Sequence, residues 1–371
     1  MSIDAHGDVR IDGVSLRSLP KVSLHDHLDG AIRPETVVEL AAEAGIELPA
    51  ADADGLVAWM LQRTQSGSLE EYLTAFEPVL AVLQTREALT RVAREYVEDL
   101  VADGVVYGEV RWAPELHIAG GLSMAEAVDA VQDGLEQGED DADDNDAEIR
   151  VSQILSAIRG GAYVREVAEL AVASRDSGVV AFDIAGAEDG NPASEYADVF
   201  TYLAGEFLPV TVHAGEGAGV DSIRSALIDG RALRLGHGTR IAEDLSIVGR
   251  AEDEVRVQFG NVARWVRDRE IPLELSPSSN LQTGAIEAWG DQIADHPFDL
   301  LFQLGFAVTV NADNRTMSRT SLTRELALLA EAFGYGLEDI ESFQLNAAAA
   351  AFLSVEEREE LIELIGEGFA R

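Results

Sequence analysis

The sequence predicts an α/β protein folded as a (β/α)₈ barrel, and three observations carry this prediction. Eight short runs rich in β-branched residues alternate with segments of helical period along the 371 residues. Polar, reactive side chains stand at the ends of several of these runs, where a barrel builds its site. No Pro/Ser-rich linker divides the chain, so we expect one domain over residues 1–371. A doubly wound open sheet is the competing fold, but it would gather its reactive side chains at one crevice.

The predicted strands are short apolar runs bounded by turn residues. They cover residues 22–25, 105–112, 149–158, 179–184, 210–213, 233–237, 271–275 and 307–310. Strands that alternate with helices favour a parallel sheet, and eight is the number that closes a barrel.

Helical periods occur at 86–101, 124–134, 164–174 and 220–228. Residues 33–100 are too many for one crossover, so we expect a helical insertion that roofs the site. The acidic segment 138–148 follows a helix and precedes a strand, which predicts a solvated loop on the opposite face. Extra helices are expected between Asp313 and the C-terminus.

Charge limits the possible partners. The chain has 27 basic and 68 acidic residues, a net charge of −41, which would repel phosphate backbones and anionic membranes. We therefore expect no nucleic acid and no membrane as partners. Lys21 is the only lysine, and an acid-rich, lysine-poor surface suits a salt-rich cytoplasm. A GC-rich genome that favours Arg, Asp, Ala and Gly codons explains the same composition equally well.

The chain has no cysteine, which excludes disulfides, thiolate metal ligands and thiol nucleophiles. The first residues lack the basic and apolar regions of a signal peptide, and no apolar stretch approaches the ~20 residues that span a bilayer. A cytoplasmic location is the expectation. The sequence gives no prediction of oligomeric state.

Histidines at strand ends indicate a metal site. His25 and His27 alternate along the first strand, so both rings face one side, ~7 Å apart at the backbone. His213 and His237 end two other strands, and Asp313 follows the eighth. Three histidines and one carboxylate suit Zn²⁺. The residues alone do not decide whether His213 or His237 completes the set.

Glu216 and Lys21 refine this hypothesis. Glu216 follows a strand at a turn, in TVHAGEG, where its carboxyl can point into the same space as a proton carrier. Lys21 lies four residues before His25, roughly 13 Å back along the strand, at the wrong end to bridge two metals. We therefore expect one metal ion per chain.

Five other residues invite simpler interpretations. His6, His117 and His296 have no partner motif and are expected on the surface or in the core. Glu109 and Arg111 share a strand face and are expected to pair inside the barrel wall.

Five sequence blocks occur in a fixed order along the chain. PKVSLHDHLDG at 20–30 is followed by TVHAGEG at 211–217, RLGHGTRI at 234–241 and VTVNADNRTM at 308–317. LELSPSSNLQTG at 273–284 lies between the last two. The resemblance extends from about residue 20 to 350, is highly specific because the blocks occur together, and is to the adenosine deaminase family. The resemblance implies a zinc-dependent barrel enzyme that hydrolyses adenosine and 2′-deoxyadenosine to the inosine products and ammonia, in purine salvage.

The resemblance also implies roles for individual residues. The implied zinc ligands are His25, His27, His213 and Asp313. His237 then contacts the attacking water rather than the metal, and with Asp313 it orients that water towards C6 of the purine. Glu216 protonates ring N1, which makes C6 electrophilic.

Substrate contacts follow from the same blocks. Asp29 accepts a hydrogen bond from a ribose hydroxyl, Gly186 offers its backbone N–H to N3, and Asn314 meets N7. The family often has Asp where Asn314 stands, and an amide donates without first being protonated. Leu73 and Phe76 resemble an apolar lid, and helix core is the alternative interpretation.

Two other functions remain open. Adenine deaminases of the superfamily tend to carry Glu at the position of Asp29, so Asp29 favours a nucleoside over free adenine. Adenine and N6-modified adenosine are the alternative substrates. A catalytically inactive nucleoside-binding relative is the remote alternative, opposed by the presence of all four ligands and Glu216.

Overall fold

Eight parallel strands form a closed barrel in the computed structural model, which describes residues 2–3, 9–251 and 254–370. The barrel strands are Lys21–His27, Val105–Trp112, Arg150–Ile158, Val179–Ala185, Thr211–Ala214, Arg234–His237, Leu273–Leu275 and Val308–Val310. They form two four-stranded sheets, which parallel bridges from Asp26 to Asp313 and from Phe182 to Val210 join at the two seams. The predicted (β/α)₈ barrel is confirmed, with strand bounds within two residues of those predicted.

Helices surround the barrel, and several begin at side-chain caps. The Thr85 hydroxyl accepts the Ala88 N–H, and Ser123 forms a capping box with Glu126. The α-helices are Pro34–Ala44, Ala53–Thr64, Leu69–Leu73, Glu77–Val82, Arg86–Ala102, Met124–Asp143, Val164–Ala173, Ala197–Gly205, Val220–Ile228, Asn261–Asp268, Pro277–Gln282, Phe298–Gln303, Arg315–Ser318, Leu322–Phe333, Leu337–Ala350 and Val355–Phe369. Short 3₁₀ helices are Thr74–Phe76, Pro114–His117, Ala193–Tyr196, Thr239–Asp244 and Ile293–Asp295.

The acidic segment 138–148 is only partly a loop, and this prediction was wrong for its first half. The helix that begins at Met124 continues to Asp143. Gly138 allows close packing there, because a Cβ at this position would lie 2.6 Å from the Cβ of Val97 on the neighbouring helix. Ala142 is buried. Packing against this neighbour therefore extends the helix through acidic residues that composition assigns to solvent.

Two small antiparallel elements were not predicted. Ser2–Ile3, Val9–Ile11 and Val14–Ser15 form a three-stranded sheet before the barrel. Leu245–Ala251 and Glu254–Phe259 form a two-stranded ribbon after the sixth barrel strand. Neither element contributes to the site described below.

The expected extra C-terminal helices close the barrel at the amino ends of the strands, on the side opposite the site. Val22, Leu24 and Tyr107 form a buried cluster with Ala347 and Leu361 from these helices. Within the described ranges, no helix combines the length and the hydropathy needed to cross a membrane.

The barrel interior is ionic rather than apolar, and the predicted pairing of Glu109 with Arg111 is wrong. Glu109 pairs with Arg234 from the sixth strand, and Arg111 reaches Glu274 of the seventh, with Nη2 to Oε2 at 2.8 Å. All four side chains are at most 1% exposed. Side chains that point into a closed barrel face strands across the interior, so neighbours along one strand do not have to pair.

Candidate active site and metal centre

The reactive side chains meet at the carboxyl ends of the strands, above the ionic interior. A cavity of about 360 Å³ opens over them, within the size range of small-molecule sites. The sequence-predicted residues that line it are His27, Asp29, Leu73, Phe76, Gly186, His213, Glu216, His237, Asp313 and Asn314. His25 lies beneath them, fully buried.

His25, His27, His213 and Asp313 bring ligand atoms together at one place, which we call the metal point. The Nε2 atoms of His25 and His27 lie 3.2 and 3.3 Å from Oδ1 of Asp313, and Nε2 of His27 lies 3.2 Å from Nε2 of His213. Tetrahedral ligands at 2.0–2.1 Å from a zinc ion lie roughly 3.3 Å apart. Nε2 of His25 and Oδ1 of Asp313 are buried without hydrogen-bond partners, which fits a cation between them.

His237 also faces this point. Ligand atoms of His25, His213, His237 and Asp313 all lie within 4.8 Å of one another. Burial lowers the pKa of His237 well below its ordinary value, and burial also lowers the pKa of His27 and of His213. Neutral imidazole is the form that binds a cation. The spacing of the rings therefore admits two ligand sets, with His27 or His237 as the third histidine.

Two ligand rings are oriented by buried carboxylates. Nδ1 of His25 lies 2.9 Å from Oε2 of Glu274, and Nδ1 of His213 lies 2.7 Å from Oδ2 of Asp183. Each carboxylate accepts a hydrogen bond from the Nδ1–H group of its histidine. Nε2 of the neutral ring is then unprotonated and faces the metal point. Arg111 also contacts both carboxylates. This arrangement is typical of histidines that bind metal.

Left-handed backbone turns aim two of the side chains. His237 and Asp313 have φ angles of +63° and +61°, which non-glycine residues rarely adopt. Such a conformation costs of order 1 kcal/mol or more per residue and persists only where the surrounding structure holds it. Both residues end or follow a short barrel strand, and the turn tips their side chains over the barrel mouth.

Glu216 lies beside this centre. Its Oε2 atom is 3.4 Å from Nε2 of His237. Burial raises the pKa of Glu216 well above its ordinary value, and the negative charges of Asp313 and Glu188 raise it further. A carboxyl that stays protonated near neutral pH can deliver a proton to a bound molecule.

The loop that carries Glu216 is held by another carboxylate. Oε1 of Glu188 accepts the N–H of Gly215 at 2.7 Å, and Oε2 accepts the N–H groups of Glu216 and Ala218, both at 3.0 Å. Gly215 has a φ of +82°, and a Cβ there would lie 2.7 Å from Ile223. The turn thus requires glycine, and it points successive N–H groups at one acceptor.

The predicted substrate residues surround the upper cavity. Burial raises the pKa of Asp29 to about 6. Gly186, with φ +95°, forms part of the wall, and Asn314 packs on Gly30, where a Cβ would lie 1.9 Å from the Asn314 Oδ1. Leu73 is 38% exposed at the cavity edge. These placements agree with the expected positions and leave the contacts themselves as predictions.

Several residues with evident roles in building the site were not singled out from the sequence. These are Glu188, Glu274, Asn280, Arg159 and Tyr72. Glu274 and Asn280 lie in the block LELSPSSNLQTG, so the motif offered a signal for these two. Glu188, Arg159 and Tyr72 stand in loops and a helix with no recognisable pattern.

The remaining histidines lie away from the metal point. Nδ1 of His117 lies 2.8 Å from the Leu83 carbonyl, and Nε2 of His296 lies 3.2 Å from Oδ1 of Asn280. Both are buried. Of the two predicted alternatives, surface and core, the core position is therefore confirmed for these two histidines. His6 lies outside the described residues. Lys21 is buried at the far end of its strand, where its Nζ donates to the carbonyls of Leu16 and Leu19.

Comparison with known proteins adds the family. The family model "Adenosine deaminase" matches residues 20–367. Adenosine deaminase 1 of Streptomyces coelicolor is 51% identical over 357 residues, which cover 96% of this chain and 88% of that protein. The N6-mAMP deaminase MAPDA of Arabidopsis superposes with a TM-score of 0.78 at 26% identity, covering 95% of this chain and 99% of its own. An adenine deaminase of Arthrobacter aurescens shares the fold, with a TM-score of 0.81 at 24% identity over 94% and 98% of the two chains.

Proposed function

Because the chain belongs to the adenosine deaminase family and deaminates adenosine, we propose that it does so at this cavity with one zinc ion per chain. We propose that 2′-deoxyadenosine is a substrate as well, and that the products are inosine, 2′-deoxyinosine and ammonia. The cluster of His25, His27, His213 and Asp313 carries the proposal. A role in purine salvage and a cytoplasmic location remain predictions from the sequence.

These four residues fit a zinc ion because their free ligand atoms lie 3.2 to 3.3 Å apart in the three pairs that connect them. A bound zinc ion would act as a Lewis acid that lowers the pKa of a water molecule towards ~7 and so supplies the nucleophile. Asp183 and Glu274 hold the rings of His213 and His25 for this role. His237 is assigned to the water and not to the metal.

Glu216 acts as the general acid in this proposal. Burial raises the pKa of Glu216 and so favours its protonated form, and its position beside His237 lets it face the edge of a bound purine. A proton delivered to ring N1 makes C6 electron-poor, so that the water oxygen bonds there. One proton of the water passes to the Asp313 carboxylate and from it to the C6 amino group, which leaves as ammonia when the C–N bond breaks. The C6 hydroxyl returns a proton to Glu216 as the C6=O bond forms.

Water is oriented between His237 and Asp313. Both side chains are tipped over the barrel mouth by left-handed backbone turns, and both line the same cavity. Such preorganisation places the nucleophile at one face of the purine ring and requires little rearrangement during the reaction.

The upper cavity suits a nucleoside. Asp29 is buried with one carboxyl oxygen unpartnered, and it is assigned to a ribose hydroxyl. Gly186 and Asn314 are assigned to the purine nitrogens N3 and N7. Leu73 and Phe76, with the neighbouring Tyr72, provide the apolar cover.

A nucleotide substrate, suggested by the N6-mAMP deaminase relative, is less well supported. Among the described residues that line the cavity, Arg159 is the one that carries a permanent positive charge. Its guanidinium already donates to the carbonyls of Asn191 and His213. Arg159 therefore connects two segments of the site wall through these hydrogen bonds. The same N–H groups would have to be released before they could bind a phosphate.

Substrate preference is tested by ammonia release and the absorbance change at 265 nm with adenosine, adenine, N6-methyladenosine and AMP. We expect the highest kcat/KM with adenosine. No turnover of adenosine by the zinc-loaded protein contradicts the proposal, and faster turnover of adenine or N6-methyladenosine favours that alternative instead. Elemental analysis of the same sample should give one zinc per chain.

A further inference from the structure

A chain of three buried side chains runs from the barrel periphery to the metal point. Nε2 of His296 lies 3.2 Å from Oδ1 of Asn280, and Nδ2 of Asn280 lies 2.9 Å from Nδ1 of His237. The three residues are at most 3% exposed. Nε2 of His237 then points the other way, to within 3.4 Å of Oε2 of Glu216.

The outer end of this chain is fixed by a backbone donor. The N–H of Phe298 donates to Nδ1 of His296 at 3.0 Å, so this nitrogen carries no proton. A neutral imidazole has one N–H, which must then be on Nε2 of His296. That N–H donates to Asn280, and the receiving atom has to be the amide oxygen.

A second set of donors fixes the amide of Asn280 independently. The backbone N–H of Ser276 lies 3.3 Å from Oδ1, and the Thr239 hydroxyl donates to the same oxygen at 2.8 Å. An amide turned by 180° would place its NH₂ against the Ser276 N–H, donor against donor. The NH₂ group therefore faces His237.

We propose that Asn280, oriented by His296, is a positioning residue that fixes His237 as the neutral tautomer with its proton on Nε2. Nδ1 of His237 can receive the amide N–H only if it is bare, so the remaining proton lies on Nε2. In this form the ring presents an N–H, and no lone pair, to the metal point.

This assignment separates His237 from His25 and His213. The carboxylates of Glu274 and Asp183 accept hydrogen bonds from the Nδ1–H groups of His25 and His213 and leave Nε2 of each ring free to bind a cation. The amide of Asn280 instead donates to Nδ1 of His237 and leaves the proton on Nε2. For these three rings, the neighbour on Nδ1 thus decides whether Nε2 is a ligand or a hydrogen-bond donor.

The inference deepens the proposed function and rests on it for its catalytic consequence. As an Nε2–H donor, His237 holds the attacking water by donating to it. It takes no proton from that water unless the bond to Asn280 breaks. Asn280 would then act on kcat through His237 and make no contact with substrate.

The tautomer is measured by long-range ¹H–¹⁵N NMR of the zinc-loaded protein labelled with ¹⁵N-histidine. The signals of His237 are assigned by their loss in H237Q. We expect a bare Nδ1 and a protonated Nε2. A protonated Nδ1 overturns the proposal whatever the activity is.

The substitution N280D tests control of the tautomer. Aspartate has the same shape, and one carboxyl oxygen can still accept from Ser276, Thr239 and His296. The other oxygen can only accept, so it should draw the proton of His237 to Nδ1. We expect a reversed tautomer and a fall in kcat of ~100-fold, the scale of a lost catalytic hydrogen bond, with a KM within a few-fold of wild type.

The substitution N145D is the matched control. It makes the same change from amide to carboxyl at an exposed residue whose Nδ2 donates to the Asp141 carbonyl, away from the cavity. We expect the wild-type tautomer and less than a threefold change in kcat. An unchanged tautomer in N280D overturns the inference. A reversed tautomer with unchanged kcat instead contradicts the proposed role of His237, so the two failures are distinguishable.

Discussion

The carboxylate of Glu188 accepts the backbone N–H of Glu216 at 3.0 Å, so the loop after the fourth barrel strand holds the proposed general acid on the loop after the fifth. Two further N–H groups, from Gly215 and Ala218, converge on the same carboxylate. Because three N–H donors converge on it, the position suits a group that only accepts hydrogen bonds. Glu188 therefore fixes the backbone position from which the Glu216 side chain extends.

We expect E188Q to lower kcat by roughly 10-fold or more with a smaller change in KM, because the new NH₂ must face one of the three N–H donors. A double-mutant cycle distinguishes a positioning role of Glu188 from a general loss of structure in E188Q. If Glu188 acts through Glu216, E188Q should have little further effect in an E216Q background. Equal losses in both backgrounds would count against this coupling. D189N, on an exposed neighbour of Glu188, serves as the control.

Replacing the general acid itself should separate chemistry from metal binding. We expect E216Q to retain one zinc per chain and to lose at least ~100-fold in turnover, the scale of general acid–base catalysis. Steady-state kinetics and elemental analysis of the same preparation measure both quantities. Turnover within threefold of wild type would refute the assignment, whereas loss of zinc would point to a structural role.

Removal of the metal should abolish activity, and added zinc should restore it. We expect D183N to weaken zinc binding ~10- to 100-fold, because the ring of His213 loses the carboxylate that orients it. Competition with a chromogenic chelator measures the affinity, with D189N again as the exposed-carboxylate control. Equal affinities in D183N and wild type would show that Asp183 does not support the metal.

His117 should make the protein sensitive to mild acid. Burial lowers the pKa of His117 to about 4 from an ordinary value of 6.5. Between these values the unfolded chain binds a proton that the folded protein does not, so stability falls as the pH drops from 6.5 to about 4. From pH 7 to pH 5 this one residue should cost ~2 kcal/mol.

The substitution H117N keeps a donor for the Leu83 carbonyl and removes the titration. Urea unfolding of both proteins at pH 7 and pH 5, with equal zinc, gives the difference directly. H117N should lose less stability than wild type over this range by about the amount stated. Parallel losses would mean that His117 is not the group responsible.

The net charge of −41 supports a prediction about salt. If the composition reflects a salt-rich cytoplasm, Tm should keep rising with KCl to molar concentrations, where simple screening is complete because the Debye length is only ~3 Å. Thermal unfolding in a KCl series is the measurement. Equal stability in dilute buffer would favour codon usage as the explanation of the acidic composition.

The chemistry-bearing residues could be found from the sequence because they follow a rule of position. The carboxyl ends of parallel strands meet at one edge, so His25, His27, His213, His237 and Asp313 could be grouped before any coordinates. The choice of the four proposed ligands among them came from the family resemblance. The order of the strands needed only their β-branched runs and the helical period between them. Both signals are local along the chain.

The pairings of the supporting residues could not be found in this way, because their partners lie on other strands. Glu109 and Arg111 share a face, yet each pairs across the barrel with Arg234 and Glu274 respectively. Glu188 holds a loop that begins a strand later in the chain. Pairings of this kind depend on curvature and on the depth of each side chain in the barrel, which composition and spacing do not encode.

The bridge between Asp26 and Asp313 joins the first barrel strand to the end of the last one. During synthesis, the ribosome therefore releases His25 and His27 long before their carboxylate partner exists. The nascent chain cannot assemble the complete set of ligands until nearly the whole barrel has been translated. Binding of the proposed zinc ion would thus be tied to the final stage of folding, and a chain cut short before that seam would be inactive however well its earlier strands had formed.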